Sequence, residues 1–366
     1  MTSSEPVIIV GAGQSGLAAA RAVRDLGLRA LVLEAGGEPV GSWPGYYDSL
    51  TAFSPARYSA LSGVPFTGDP DHYPRRDEVV DYLRHYAAGL DVEIRTGIRV
   101  SAVRADGAGF LVHTAGGETI RGAGVVAASG SFGNPHLPEL PRQEDFTGAR
   151  LHVADYRSPQ PYAGQRVVVV GAGNSAVQVA YELAQIATVT LATRRPVRFL
   201  PQRIRGRDVH YWLRATGFDR LPAAWSVRAA RGVTPVLDTG IYRAALRAGQ
   251  LDRQQMFTGF DGDHVRWPDG TAEKVDTVIF ATGYRPDLGY LESLRALDAG
   301  ALRHTGGVST THPGLAYVGL EFQRSFASNT LRGVHRDARH VIARLAAHLR
   351  ATAATPAGRI RNVRAG

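Results

Sequence analysis

The sequence predicts an α/β protein of two doubly wound units, each built on a parallel sheet. Three observations predict it. An apolar run, a glycine-rich turn and a helix-like stretch follow one another twice, at Val7–Ala20 (VIIVGAGQSGLAAA) and Val167–Ala180 (VVVVGAGNSAVQVA). Further short apolar runs occur at Ala30–Leu33, Val125–Ala128, Val189–Ala192 and Val275–Ala281, as expected of strands covered on both faces. The chain has 366 residues, which at about 150 per domain makes about two domains.

The elements follow in order. Met1–Pro6 runs into the first strand without a charged region or cleavage site, so no secretory signal is expected. Ser42–Tyr73, rich in Pro, Gly, Ser and aromatics, reads as an ordered loop. Asp77–Leu90 carries Val80, Leu83, Tyr86, Ala87 and Leu90 at helical spacing. Val92–Thr114 reads as strands and turns, and Gly133–Pro141, with three prolines, as a linker. Arg203–Ala230 is basic and aromatic without a readable pattern. Tyr317–Gly319 is a last short strand. Residues 334–351 form an amphipathic helix whose Val334, Ala338, Val341, Ile342, Leu345 and Leu349 face a sheet. The tail after Thr355 is expected to fray.

Composition narrows the function. Hydrophobic residues are 44% and charged residues 20%, as in a soluble globular protein. No apolar stretch approaches the length of a membrane span. The chain has no cysteine, which excludes disulfides, thiolate metal sites and cysteine nucleophiles; no residue is assigned to a metal. The net charge is +9 and Lys274 is the sole lysine. The arginines are scattered rather than run together, so no nucleic-acid partner is expected.

The glycine turns carry the chemistry. In Gly11-Ala12-Gly13-Gln14-Ser15-Gly16 the glycines make the tight turn, admit a pyrophosphate and let helix and strand approach. The pyrophosphate rests on free N–H groups at the helix start. Glu34, followed by Ala35, ends the next strand, where a carboxylate accepts from a ribose 2′-hydroxyl. The second turn is Gly171-Ala172-Gly173-Asn174-Ser175-Ala176, with alanine last. Glu34 lies 23 residues after Gly11, and Arg194 lies 23 residues after Gly171, between Thr193 and Arg195. A carboxylate repels a 2′-phosphate, whereas paired guanidiniums grip it. The first site therefore suits FAD or NAD and the second NADPH. Two Rossmann-like sites of opposite polarity imply hydride passing from NADPH to a flavin.

At this point the chain resembles the class B flavoprotein monooxygenases, the flavin-containing and Baeyer–Villiger group. Besides the two turns, Gly41-Ser42-Trp43 is similar to a Gly-x-Trp segment beside the flavin. Phe146-x-Gly148-x-x-x-His152-x-x-x-Tyr156 is similar to the group's FxGxxxHxxx(W/Y/F) fingerprint. Ala281-Thr282-Gly283-Tyr284 matches its ATGY strand end. Phe53-Ser54-Pro55-Ala56-Arg57-Tyr58-Ser59 resembles a segment of bacterial single-chain members. Ala52 stands near where animal members carry an asparagine by the flavin, so that role is not carried over.

The resemblance implies a glutathione-reductase-like architecture: an FAD-binding domain of residues 1–156 and 285–366, with an NADPH-binding domain of residues 157–284 inserted. It implies FAD and NADPH as cofactors, and O2 and a small molecule as substrates, one oxygen atom passing to sulfur, nitrogen or a similar heteroatom from a flavin C4a-(hydro)peroxide. His152 and Tyr156 would orient NADP rather than transfer protons. Ser42, Trp43, Ser54, Arg57, Val100, Ser129, Gly130, Ala281, Thr282 and Gly283 join the turns as cofactor contacts. Trp43, Tyr46, Tyr47, Phe53 and Tyr58 would line a pocket that excludes water, and Glu321–Gln323 would pass beside the flavin ring. Tyr156, where Baeyer–Villiger members usually have Trp, favours heteroatoms over carbonyl oxygenation. The alternatives are Baeyer–Villiger chemistry, an NADPH-dependent reductase serving a small protein such as ferredoxin, and a non-catalytic flavin-binding protein. A cytoplasmic location and a homodimer are the accompanying expectations.

Overall fold

The computed structural model of the chain describes residues 5–225, 235–298 and 301–354. The N-terminal tip, part of the 203–230 segment and the tail after Thr355 lie outside the described residues.

Strand β1 (Val7–Val10), helix α1 (Gln14–Asp25) and strand β2 (Ala30–Leu33) form the first unit, with Val7 opposite Ala30 and Val10 opposite Leu33. Every residue of both strands is buried, which is why they read as unbroken apolar runs. Helix α2 (Arg76–Ala88) leads to β3 (Glu93–Arg95) beside β2, and β4 (Gly124–Ala127) lies on the other side of β1.

The chain then crosses to a second sheet. It comprises β5 (Ala149–His152), β6 (Arg166–Val170) with its helix α3 (Asn174–Leu183), β7 (Thr188–Thr193), β8 (Asp252–Gln255) and β9 (Thr277–Phe280). The order is β8-β7-β6-β9-β5, parallel throughout. Strand β5 belongs to this sheet, so the second unit has begun by Ala149, ahead of the boundary expected after residue 156. The chain returns with β10 (Leu315–Tyr317) beside β4, and ends in helix α4 (Leu331–Ala354).

The first sheet is covered on one face by α1, α2 and α4. Its other face packs on an antiparallel sheet of Val100–Asp106, Gly109–Thr114 and Thr119–Gly122. Helix α4 exceeds its predicted span at both ends, and its buried Val334, Ala338, Val341, Ile342 and Leu345 lie chiefly against α1 rather than on the sheet. Burying each such branched side chain is worth about 1.5–3 kcal/mol. Among the described residues no helix is long and apolar enough to cross a membrane.

The two crossings run side by side. His136 N donates to Gly283 O (3.0 Å), Arg285 N to Asn134 O (2.9 Å) and Asp287 N to Gly130 O (3.2 Å). The predicted linker is thus half of a paired two-strand connection.

Candidate functional site

Both glycine turns sit at the C-terminal ends of their strands, where open parallel sheets bind ligands. The first is tight: a Cβ on Gly16 would lie 1.8 Å from Gly11 O, so only glycine closes it. In the second, Ala176 is accommodated, its Cβ 3.1 Å from where Gly171 would carry one. Gly41, at φ +60°, brings the Gly-x-Trp segment onto the first turn; a Cβ there would lie 2.7 Å from Gly13 Cα. Trp43 then reaches α1, its Nε1 donating to Gln14 Oε1 (2.9 Å). Ser15 abuts Gly319 just after β10.

Glu34 is buried at the end of β2. Its carboxylate accepts from Ala12 N (2.5 Å) and Gly36 N (2.8 Å). A carboxylate offers about four acceptor positions, so ribose hydroxyls can still be accepted there. Ala35, next in the chain, and Ser42 are exposed. Val100 is buried in one core cluster with Val103 and Val112.

The second site has the opposite polarity. Arg194 and Arg195 are exposed just past β7, and neither forms an ion pair among the described residues. Thr193, grouped with them in the sequence, is buried and accepts from Arg253 Nε (2.7 Å) on the neighbouring β8. Arg253 lies in DRQQ, which gives no apolar signal. Asn174 caps the amide of Leu237 through Oδ1 (3.1 Å).

His152 is buried, with Nε2 on Gly283 O (3.0 Å) and Nδ1 accepting from Ala154 N (3.1 Å). Burial lowers its pKa, against the pull of the Gly283 carbonyl. Both nitrogens are engaged, so a neutral ring fixes the crossing. Tyr156 is buried, donates to Glu182 Oε2 (3.0 Å) on α3, and is held un-ionised by burial and by that carboxylate. Both residues of the fingerprint therefore position the second unit.

Several predicted contacts hold the crossings. Ser129 Oγ donates to Asp287 O (2.8 Å), and Thr282 donates to His136 O. Gly130 and Gly283 adopt positive φ there. Ser54 shares its hydroxyl with Ser59 (2.8 Å) inside its own turn. Arg57 pairs with Asp71 (2.7 Å) on the surface. Gln323 folds back on Tyr317 O (2.8 Å).

The expected aromatic lining divides in three. Trp43, Tyr46, Phe132, Tyr284 and His152 form a file with successive ring centroids 5.5, 5.1, 4.9 and 4.9 Å apart, running from the first unit across both crossings. Burial raises the Tyr46 phenol well above its usual range. Tyr47 instead enters the second core beside Tyr156. Phe53 and Tyr58 lie against His210. That histidine is buried, with Nδ1 2.7 Å from Asp208 Oδ1. Burial works to raise the Asp208 pKa, but hydrogen bonds from His210, Tyr73 and Gln202 hold it down at about 2. The dyad lies in the segment without a readable pattern and went unpredicted; the only signal is an Asp ahead of a short helix (Val209–Ala215), which it caps.

Comparisons with known proteins agree with this geometry. A family model described as pyridine nucleotide-disulphide oxidoreductase matches residues 8–319. An indole-3-pyruvate monooxygenase, YUCCA1 of rice (Oryza sativa), is 32% identical over 313 residues, covering 77% of each chain. An uncharacterized CzcO-like oxidoreductase of Geobacillus kaustophilus is 28% identical, covering 92% of this chain and 97% of its own. The structure of a flavin-containing monooxygenase from Stenotrophomonas maltophilia superposes with a TM-score of 0.82 at 30% identity, covering 94% of this chain and 98% of that one. These similarities imply FAD and NADPH as cofactors.

Proposed function

The chain belongs to the pyridine nucleotide-disulphide oxidoreductase family, as a flavin-dependent oxidoreductase like the flavin monooxygenases, and from that premise we propose that it is an NADPH-consuming monooxygenase acting on a small nucleophilic substrate at sulfur, nitrogen or a similar heteroatom. The observation that carries this reading is the opposed polarity of the two strand ends, buried Glu34 in one unit and, in the other, exposed Arg194 and Arg195 without an ion pair among the described residues.

Bound FAD would supply the redox and oxygen chemistry. The amides of Gly11–Gly16 and the Glu34 carboxylate suit its pyrophosphate and ribose. The amides of Gly171–Ala176 suit the NADPH pyrophosphate, and Arg194 and Arg195 its 2′-phosphate. Residues 1–148 and 285–366 would then form the FAD-binding part. The ring file from Trp43 to His152 spans the seam between the units, where its apolar surface would exclude water from the reacting centre. His152 and Tyr156 would keep the second unit in register without moving protons.

Rapid mixing tests the proposal. The FAD-loaded protein is reduced anaerobically with NADPH or NADH, then mixed with 18O2 and candidate sulfides and amines. Faster reduction by NADPH and 18O in the product are expected. Release of all the oxygen as hydrogen peroxide, with unlabelled substrates, would sink the oxygenase reading, and electron transfer to ferredoxin would then support a reductase.

A further inference from the structure

We infer that the protein holds a second, anion-selective site: a cavity on the outer side of the first two turns of α4 that takes a small carboxylate or phosphate. The cavity measures about 330 Å³, is floored by α4 and walled by residues 57–62 and 214–220. Five guanidiniums line it, those of Arg57, Arg214, Arg220, Arg332 and Arg336, against one carboxylate, Asp219.

The charge is left over after the internal pairs are counted. Asp219 is spent on Arg332 in a buried, two-point ion pair (3.0 and 3.2 Å). Arg57 has Asp71. Arg214, Arg220 and Arg336 form no ion pair among the described residues. Residues 1–4, 226–234, 299–300 and 355–366 contain no aspartate or glutamate.

A second observation points to a ligand. Arg332 is 8% exposed, yet among the described residues its Nη1 has no hydrogen-bond partner, and neither has Nδ1 of His335 on the cavity wall. Both atoms are closed to solvent behind the cavity wall; an oxyanion in the cavity, met by a turn of the Arg332 side chain, would satisfy that costly unmet donor with a charge-assisted bond. Burial together with Arg220 and Arg332 also lowers the Arg336 pKa, despite Asp219 and Asp337. The like charges are crowded, and an anion relieves that crowding. The volume suits a small organic acid. The inference stands whether or not the protein is an oxygenase.

The test uses the full-length flavoprotein saturated with NADP⁺, so that Arg194 and Arg195 are occupied. Inorganic phosphate and benzoate are titrated in at constant ionic strength, with benzamide as the neutral control, and followed by calorimetry and by the imidazole resonances of His335. Saturable binding of one oxyanion is expected, shifting the His335 signals, and phosphate against benzoate separates the two sources. Arg336→Gln and Arg220→Gln should each weaken it by about tenfold, as losing one charged hydrogen bond does. Arg220 is an exposed lining residue, so that variant reads out even where Arg336→Gln fails to fold. No saturable binding at millimolar concentrations, equal binding of benzamide, or affinity unchanged in the folded variants would overturn the inference.

Discussion

The carboxylate of Glu34 accepts a hydrogen bond from the backbone of Ala12, 2.5 Å away and 22 residues earlier in the chain. One side chain thus fixes the first glycine turn and, in the proposed function, would also meet the ribose of the ligand whose pyrophosphate that turn would hold. Replacing it should damage both. Glu34→Ala should purify with reduced FAD content and bind FAD about tenfold or more weakly, since a buried donor to a charged acceptor is worth about 1.5–3 kcal/mol. Equilibrium titration of the apoprotein with FAD measures this.

The two turns should respond differently to the same change. A Cβ on Gly16 meets backbone, Gly11 O at 1.8 Å, whereas Ala176 already carries one at the matching place. Gly16→Ala should lose FAD and melt well below the wild type, forced backbone movement costing about 1–3 kcal/mol or more. Ala176→Gly should keep its FAD and lose only about 1 kcal/mol, the cost of glycine in a helix. Thermal melts of the two variants settle the comparison.

These contrasts mark what could be read from the sequence. Strands such as β1 and β6 were legible because burial on both faces leaves an unbroken apolar run, Val7–Val10 in one and Val167–Val170 in the other. The turns and Glu34 were legible because their chemistry depends on local spacing. The hydroxyls of Ser129, Thr193 and Thr282 were not, because a hydroxyl serves a ligand or a neighbouring strand equally well. Tertiary placement gives these three to Asp287, Arg253 and His136. The same holds for Arg57, which found Asp71. The cationic cavity joins residues from three distant segments, and no local pattern marks such a meeting.

Arg194 and Arg195 are exposed and form no ion pair among the described residues, so their removal should spare the fold. Arg194→Ala and Arg195→Ala should each raise the KM for NADPH about tenfold, the range of one charge-assisted contact. The KM for NADH should stay unchanged, because NADH has no 2′-phosphate to lose. Steady-state kinetics with both nucleotides reads this out, and the NADPH effect should shrink as salt screens the exposed charges.

The histidines predict how stability changes with pH. Burial lowers the pKa of His152, His210 and His304, and burial with Arg336 and Arg339 brings His335 down to about 4. In the unfolded chain each titrates at about 6.5. Above that pH both states are neutral and the full stability is present. As pH falls below it the unfolded chain takes up protons that the folded one refuses, so stability drops towards pH 4. Melting temperature should therefore be flat from neutral to mildly alkaline pH and fall steadily below about pH 6.5. His335→Gln should flatten that fall while leaving the neutral plateau in place. A slope unchanged in this variant would show that His335 does not contribute to it.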